Sequence, residues 1–139
     1  MAGEKIHNLA LKLMLQGLGT AYKALLLNGY SDNPDHDYAT SIVGYEISAA
    51  GYARVTLTSV VFAEDDTNDW ATLDCADIVF TQVGTVGGSP VTITALAIIK
   101  FVNDDSDSPI VRVYPFVVSG NGGSITAQIN ATGLIKQTG

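Results

Sequence analysis

The segment Val91–Val102 constrains the fold more than any other part of this 139-residue chain. It begins with valine and isoleucine alternating with threonine, and then becomes apolar at every position from Leu96 to Ile99. Alternation predicts a β-strand, and a strand that is apolar on both faces is buried on both faces. We expect a bend or bulge in it, because twelve straight residues would span about 40 Å. Its second face has to be covered by a docked helix or by another copy of the protein.

Short strand-like segments recur at roughly ten-residue spacing through most of the chain. The clearest is Ser124–Ala131, where apolar and polar residues alternate over the whole length. Pro115 places the segment Ile110–Val118 at a sheet edge or beside a bulge. The other predicted strands are Ala21–Leu27, Ile42–Ile47, Tyr52–Thr58 with an extension at Val60–Phe62, Trp70–Leu73, Ala76–Thr81 and Gly133–Gln137. About eight short strands in a single domain over residues 1–139 predict an all-β sandwich or barrel.

The segment Glu4–Leu18 has helical spacing instead. Ile6, Leu9 and Leu13 follow the i, i+3, i+7 rule, and two glycines then end the predicted helix. A helix of about 15 residues is marginal alone in water, so it needs a surface to dock on. That surface is its own domain or a neighbouring subunit, and its three apolar residues are candidates for a partner interface.

Charge is scarce and unevenly distributed. The chain has 14 acidic and seven basic residues and a net charge of −7, where about 35 charged residues would be usual at this length. Ten of the acidic residues fall in the windows 32–37, 64–69 and 104–107, whereas the strands from Ala76 to Phe101 contain only Asp77 and Lys100. The acidic balance argues against a nucleic-acid partner, and no apolar run is long enough to span a membrane. Strand faces rich in hydroxyls and poor in charge cost little to desolvate, which predicts oligomerisation.

The acidic loops do not match a known calcium loop. Asn33, Asp35 and Asp37 supply the first three ligand positions of an EF-hand, but Tyr38 and Gly44 stand where its glycine and glutamate are required. Solvated turns are the favoured interpretation of these loops. A cation site built from two of them is the alternative.

Residues that could carry catalysis are few. The two histidines, His7 in the predicted helix and His36 in a loop, have no rigidly placed nucleophile beside them. Cys75 borders a strand and is interpreted as a small buried hydrophobe. The turn 119–123 is rich in glycine but lacks the lysine of a phosphate loop. We therefore expect no enzymatic activity, no catalytic residue, no metal site and no cofactor.

Four strand residues complete the candidates for a partner interface. Leu96 and Ile98 belong to the doubly apolar segment, and Trp70 is either a core residue or an interface anchor. Arg54 lies inside a predicted strand and needs a carboxylate or a carbonyl nearby. If a neighbouring subunit supplied that group, the pair would fix the register between subunits.

Around Arg54 the sequence resembles a known family. The motif Gly51-Tyr52-Ala53-Arg54-Val55 follows an acidic loop with a proline at Ser31–Asp37. It precedes Ile78-Val79-Phe80 and then Gly84-Thr85-Val86. In this order, after a short helix and a strand, the motifs are similar to those of small virion proteins of tailed bacteriophages, described as head-decoration (cement) or tail-fibre-like proteins. Thr92–Phe101 stands where the central strand of that family falls.

The resemblance implies a jelly-roll-like β-sandwich, often trimeric, with a structural role and no catalytic residues. We therefore expect a homotrimer on the outer capsid surface of the virion, assembled in the host cytoplasm, that bridges subunits of the major capsid protein. A tail-fibre or baseplate adaptor is the alternative within the same class. A carbohydrate-binding module on the same fold is another, and it would need Tyr30, Tyr38, Tyr45 and Trp70 as an exposed aromatic row.

Overall fold

The computed structural model describes residues 17, 21–33, 35–67, 70–129 and 135–138. This part of the chain consists mostly of antiparallel β-strands and contains two short 3-10 turns, which confirms the all-β prediction. The strands are β1 (Tyr22–Leu27), β2 (Val55–Thr56), β3 (Val61–Asp65), β4 (Trp70–Asp74), β5 (Ile78–Phe80), β6 (Thr85–Val86), β7 (Ser89–Lys100), β8 (Ile110–Gly120), β9 (Ile125–Ala127) and β10 (Ile135–Thr138). The predicted helix Glu4–Leu18 lies outside the described residues except for Gly17.

The chain forms two compact units. The first contains the described residues of Leu57–Asp77 and of Gln128–Gly139, and with them β3, β4 and β10. The second contains the described residues of Ala21–Thr56 and Ile78–Ala127, and with them the other strands. No linker or change in composition marks these boundaries in the sequence, so the prediction of one domain does not anticipate the division.

The largest sheet of the second unit is built on β7. Strand β1 pairs with it antiparallel, from Tyr22 opposite Lys100 to Leu27 opposite Ala95. Every residue of β7 from Ala95 to Ile99 is buried, which confirms the predicted burial of both faces. The chain itself covers one face, in a core formed by Leu25, Leu27, Tyr30, Ala39, Ile42, Ala95, Ala97 and Ile99. Each large aliphatic side chain buried there contributes about 1.5–3 kcal/mol to stability.

Strand β8 forms an edge of this sheet. It pairs with β7, and the register shifts twice, between Ile93 and Ala95 and between Ile98 and Ile99. These bulges confirm the irregularity expected of so long a strand. Pro115 lies opposite Ala95, next to the first shift, and among the described residues β8 pairs with no other strand. Proline is therefore tolerated here for both of the reasons that the sequence suggested.

The remaining strands are short. In the second unit β2 pairs with β1, β6 forms a hairpin with the start of β7, and β5 pairs with β9. Gly87 and Gly88 have φ of 59° and 83° in that hairpin, a conformation that favours glycine. In the first unit β4 lies between β3 and β10. These antiparallel sheets establish the fold class, all-β, and the order of the strands.

The prediction of a strand at Ile42–Ile47 is wrong. The chain forms two consecutive 3-10 turns here, Ala39–Ser41 and Val43–Tyr45, closed by bonds such as that from the Ile42 N–H to the Ala39 carbonyl at 2.9 Å. Residues three apart lie on one side of a 3-10 turn. Ala39 and Ile42 are thereby buried together in the core, which a strand would not have allowed.

The predicted strand Tyr52–Thr58 is reduced to Val55–Thr56. A turn precedes it, in which the Tyr52 N–H donates to the Ala49 carbonyl at 3.1 Å and Gly51 adopts a φ of 77°. Because the Tyr52 N–H is bonded within a turn, it cannot also pair with a neighbouring strand. The alternating sequence pattern therefore predicts a longer strand than the chain forms.

Candidate functional site

Arg54 joins two carboxylates that are far apart in the chain. Its Nε and Nη2 donate to Glu46 Oε2 and Oε1 at 2.9 and 2.8 Å. Its Nη1 and Nη2 donate to Asp105 Oδ1 and Oδ2 at 2.6 and 3.0 Å. Both contacts are bidentate, the geometry to which a planar guanidinium is suited. The Arg54 side chain is only 22% exposed, so this is a partly buried double ion pair.

Tyr52 extends this network to the main sheet. Its hydroxyl donates to Glu46 Oε2 at 2.6 Å and accepts from the backbone N–H of Leu26 at 3.1 Å. Burial, followed by the bond to Glu46, raises the pKa of Tyr52, so its hydroxyl remains a donor. The ring stacks on Phe80, with 6.1 Å between centroids. Tyr52 therefore anchors the ion pair to the strand that carries Leu26.

Arg54 and Asp105 reinforce one another's charge. Hydrogen bonds from Arg54 lower the pKa of Asp105, and the bonds to Glu46 and then Asp105 raise the pKa of Arg54. Groups held in one protonation state cannot exchange protons with a substrate near neutral pH. The arrangement can bind segments of the chain together, and we assign it a structural role.

The predicted interface residues that the structure describes differ in their burial and in their bonding. Arg54 finds both carboxylates within its own chain, so a neighbouring subunit does not supply them. Leu96 and Ile98 are 4% and 0% exposed, within the buried part of β7. Trp70 is half-buried at the start of β4.

The three helix candidates Ile6, Leu9 and Leu13 lie outside the described residues. Among the described candidates, Leu96 and Ile98 are buried and Arg54 is bonded within its own chain. Other exposed side chains of the described part are therefore considered as well.

The most exposed large apolar side chain in the described part is Val117 of β8, at 78%. No charged residue occurs in the segments 78–99 and 113–127, which we call the uncharged region. Strand pairing brings its two segments together, because β5 pairs with β9 and the first half of β7 pairs with the second half of β8. Sequence reasoning found the uncharged strands but did not single out Val117.

Backbone contacts occupy one end of the edge of β8. Tyr38 forms an isolated bridge with Pro109, and the Ile110 N–H donates to the Asp37 carbonyl at 2.9 Å. Beside this contact lies a cleft of about 410 Å³, lined by Asp32, Asn33, His36 and the segment 110–113. The described part of the chain itself thus occupies the edge at one end of β8.

The acidic loop 103–108 satisfies its own polar groups. Asp107 Oδ1 accepts from the backbone N–H groups of Asn103 and Asp104 at 3.1 and 2.9 Å, and these bonds lower the pKa of Asp107. Asp104 Oδ1 in turn accepts from the Ser106 N–H at 2.8 Å. Among the described residues no group of three or more His, Cys, Asp or Glu side chains could hold a metal ion. The loop has the bonding of a self-capped turn.

The aromatic residues do not form an open row. Tyr30 is buried, and its hydroxyl hydrogen-bonds to His36 Nδ1 at 2.9 Å. Its ring meets Tyr45 edge-to-face, with 5.2 Å between centroids. Tyr38 and Tyr45 are exposed, but Trp70 belongs to the other compact unit. The buried position and the edge-to-face contact of Tyr30 disagree with the flat platform that a carbohydrate-binding module would require.

Cys75 is a buried free thiol, as the sequence predicted. Burial, with smaller contributions from Asp74 and Asp77, raises the pKa of Cys75 to about 11. A thiol with so high a pKa is a poor nucleophile at neutral pH, because the thiolate is the reactive form.

No protein-family model, curated protein or solved structure matches the chain. None of the helical segments within the described ranges has the length and apolar character to cross a membrane. The features of the described part that bear on function are the distribution of charge and of exposed apolar surface over the second unit.

Proposed function

We propose that this protein is a structural virion protein, a head-decoration (cement) protein of a tailed bacteriophage. It would act as a homotrimer on the outer capsid surface, bridging subunits of the major capsid protein. The single observation that supports this function is the uncharged region of the second unit, where paired strands expose apolar and hydroxyl-bearing side chains but no charge. Such a surface loses little hydration free energy when another protein covers it.

The protein holds capsid subunits together through many contacts, each of which contributes a modest amount of buried surface. A clamp that touches several capsid subunits gains affinity because each further contact forms at high effective concentration, and threefold symmetry multiplies the effect. The acidic loops stay in water and keep the particle soluble. A jelly-roll-like sandwich, preceded by a helix over residues 4–18, also belongs to this proposal.

The test compares virions assembled with and without the protein. Both samples are heated, and genome release is followed by the fluorescence of a DNA-binding dye. We expect release at a lower temperature without the protein, and recovery of the original temperature when purified protein is added back. Equal release temperatures in the two samples would exclude the cement role.

Imaging separates the two virion locations. A gold label on the protein is expected on the head. Label confined to the tail would replace the decoration role with that of a fibre or baseplate adaptor, for which the same uncharged region would serve.

A further inference from the structure

We propose that the pocket between the 3-10 turn Val43–Tyr45 and the β6–β7 hairpin binds a single neutral sugar unit. This binding site goes beyond the proposed virion role and does not depend on it. The pocket lies within the second unit and has a volume of about 450 Å³, within the roughly 300–1,000 Å³ of most small-molecule sites. The observations that support it are the bonds that hold the pocket open, one exposed aromatic ring, and a lining of uncharged polar groups.

Hydrogen bonds fix the segments that line this pocket. The chain that follows β1 is bonded to both of its neighbours: the Asn28 N–H donates to the Tyr45 carbonyl at 2.8 Å, and the Gly29 N–H donates to Thr94 Oγ1 at 2.9 Å. The pairing of β6 with the start of β7 fixes the hairpin side. A site that is formed before its ligand arrives costs little conformational entropy on binding.

Tyr45 supplies the aromatic surface. It is 43% exposed, and its ring meets the buried Tyr30 edge-to-face with 5.2 Å between centroids, so its orientation is set by the core. The apolar C–H groups of a sugar ring pack on an exposed aromatic ring. Val86, at 51% exposed, and Pro90 add apolar surface from the hairpin. One ring is enough for one sugar unit, whereas a polysaccharide chain needs a row of rings.

The polar groups available in the lining are uncharged. Asn28, Ser48 and Thr92 are exposed and carry one amide and two hydroxyl groups. Amides and hydroxyls can both donate and accept, as the hydroxyl groups of a ligand require. An apolar ligand would take these groups out of water without replacing their hydrogen bonds. The pocket therefore favours a ligand that combines hydroxyl groups with C–H surface.

The charge of the pocket selects against ionic ligands. Among the described residues that line it there is no Lys, Arg or His, and Glu46 is the one acidic residue. The carboxylate of Glu46 accepts from Arg54 and Tyr52, so it is already occupied. Phosphates and acidic sugars would find no cation here, and the net charge of −7 repels them. A neutral sugar matches the aromatic, apolar and uncharged polar parts of the lining together.

The experiment uses the full-length chain, isotope-labelled for amide NMR spectra, and a panel of free sugars. The neutral probes are glucose, galactose, mannose and N-acetylglucosamine, and the acidic probes are glucuronic acid and N-acetylneuraminic acid. Tyr45→Ala removes the aromatic ring, and Thr92→Val removes a hydroxyl while keeping the shape of the side chain. The matched controls are Tyr38→Ala, an exposed tyrosine outside the pocket, and Thr126→Val, an exposed threonine of β9. Circular dichroism melting checks that each variant folds.

We expect at least one neutral sugar to shift the amide signals of Asn28, Ser48 and Thr92 saturably, with a dissociation constant in the millimolar range. Tyr45→Ala should raise that constant by about 10-fold or more, because it removes the packing surface. Thr92→Val should raise it by about 5-fold, the effect of one lost hydrogen bond. The two control variants and the wild type should bind alike, and the acidic sugars should leave the three amides unshifted.

The outcomes decide this inference separately from the proposed function, which the heating of virions tests. If no neutral sugar shifts these amides, or if the acidic sugars shift them as strongly, the neutral-sugar site is overturned. Equal weakening by Tyr38→Ala or Thr126→Val would also overturn it, because the binding would then lie elsewhere. Should Tyr45→Ala fail to fold, Thr92→Val decides alone, and an unchanged dissociation constant in that variant would count against the pocket.

Discussion

Arg54 and Asp105 are 51 positions apart in the sequence, yet two hydrogen bonds of 2.6 and 3.0 Å join their side chains. Glu46 accepts from Nε and Nη2 of the same guanidinium. One arginine thus fixes the segment before β2 both to the 3-10 turns and to the acidic loop that precedes β8. Its contribution can be measured directly.

Replacing Arg54 by methionine should destabilise the fold by about 2 kcal/mol, because two partly buried carboxylates lose their partner. The value is reduced from that of a fully buried pair since solvent screens these groups. Urea denaturation measures the change. The free energy of unfolding of Arg54→Lys should lie between those of the wild type and Arg54→Met, because an ammonium cannot make the paired bonds of a guanidinium.

The matched control is Arg112→Met. Arg112 is the other arginine of the chain; it lies in β8 and is exposed, with its guanidinium 5.3 Å from the ring centroid of Tyr114. A change within about 0.5 kcal/mol is expected for it. Equal losses in the two variants would show that the ion pairs of Arg54 do not stabilise the fold.

Stability should fall in acid through Asp105. Arg54 lowers the pKa of this carboxyl below its usual value of 3.8 in the folded state. The stabilisation is therefore complete above that value and is lost as the pH falls through the lower, folded-state pKa. Urea midpoints measured downward from neutral pH should drop more steeply below about pH 4 in the wild type than in Arg54→Met. Parallel curves would contradict the linkage.

Replacing Tyr22 by phenylalanine should stabilise the protein by about 1 kcal/mol. The Tyr22 hydroxyl is buried and has no hydrogen-bond partner among the described residues, so removing it relieves a desolvation cost. Thermal and urea unfolding test the sign of the change. Tyr52→Phe is the contrasting variant, since that hydroxyl makes two hydrogen bonds, and we expect it to cost about 1–3 kcal/mol.

Cys75 should react slowly with thiol reagents in the native state. With its pKa raised to about 11, the thiolate fraction near pH 8 is on the order of 0.1%. A colorimetric disulfide reagent should therefore label the folded protein far more slowly than protein unfolded in guanidinium chloride. Similar rates in the two states would show that burial does not protect the thiol.

The sequence predicts the central strands well because runs of consecutive apolar residues indicate that these strands are buried. Apolar residues on both faces of β1 and β7 leave no other interpretation, and the structure buries both. The position of Pro115 predicted an edge or a bulge, and both are present. Local pattern and tertiary environment agree in these elements.

The segment from Ala39 to Tyr45 could not be predicted in the same way. Its apolar residues suit a short strand as well as a 3-10 turn, and only the packing of Ala39 and Ile42 on the main sheet decides between them. The partners of Arg54 could not be predicted from the sequence either, because the Asp105 carboxylate comes close to Arg54 only after the chain has folded. Val117 could not be singled out because its exposure depends on what packs over its face of β8 after folding, not on the residue itself.

The pairing of β1 with β7 has a consequence for synthesis on the ribosome. Tyr22–Leu27 is translated about 70 residues before its partner Ala95–Lys100. At about 5–20 residues per second, the apolar β1 segment waits several seconds before it can be paired. The unpaired β1 segment of a nascent chain is therefore exposed to aggregation and to chaperones during this interval, and the central sheet closes only after β7 has been synthesised.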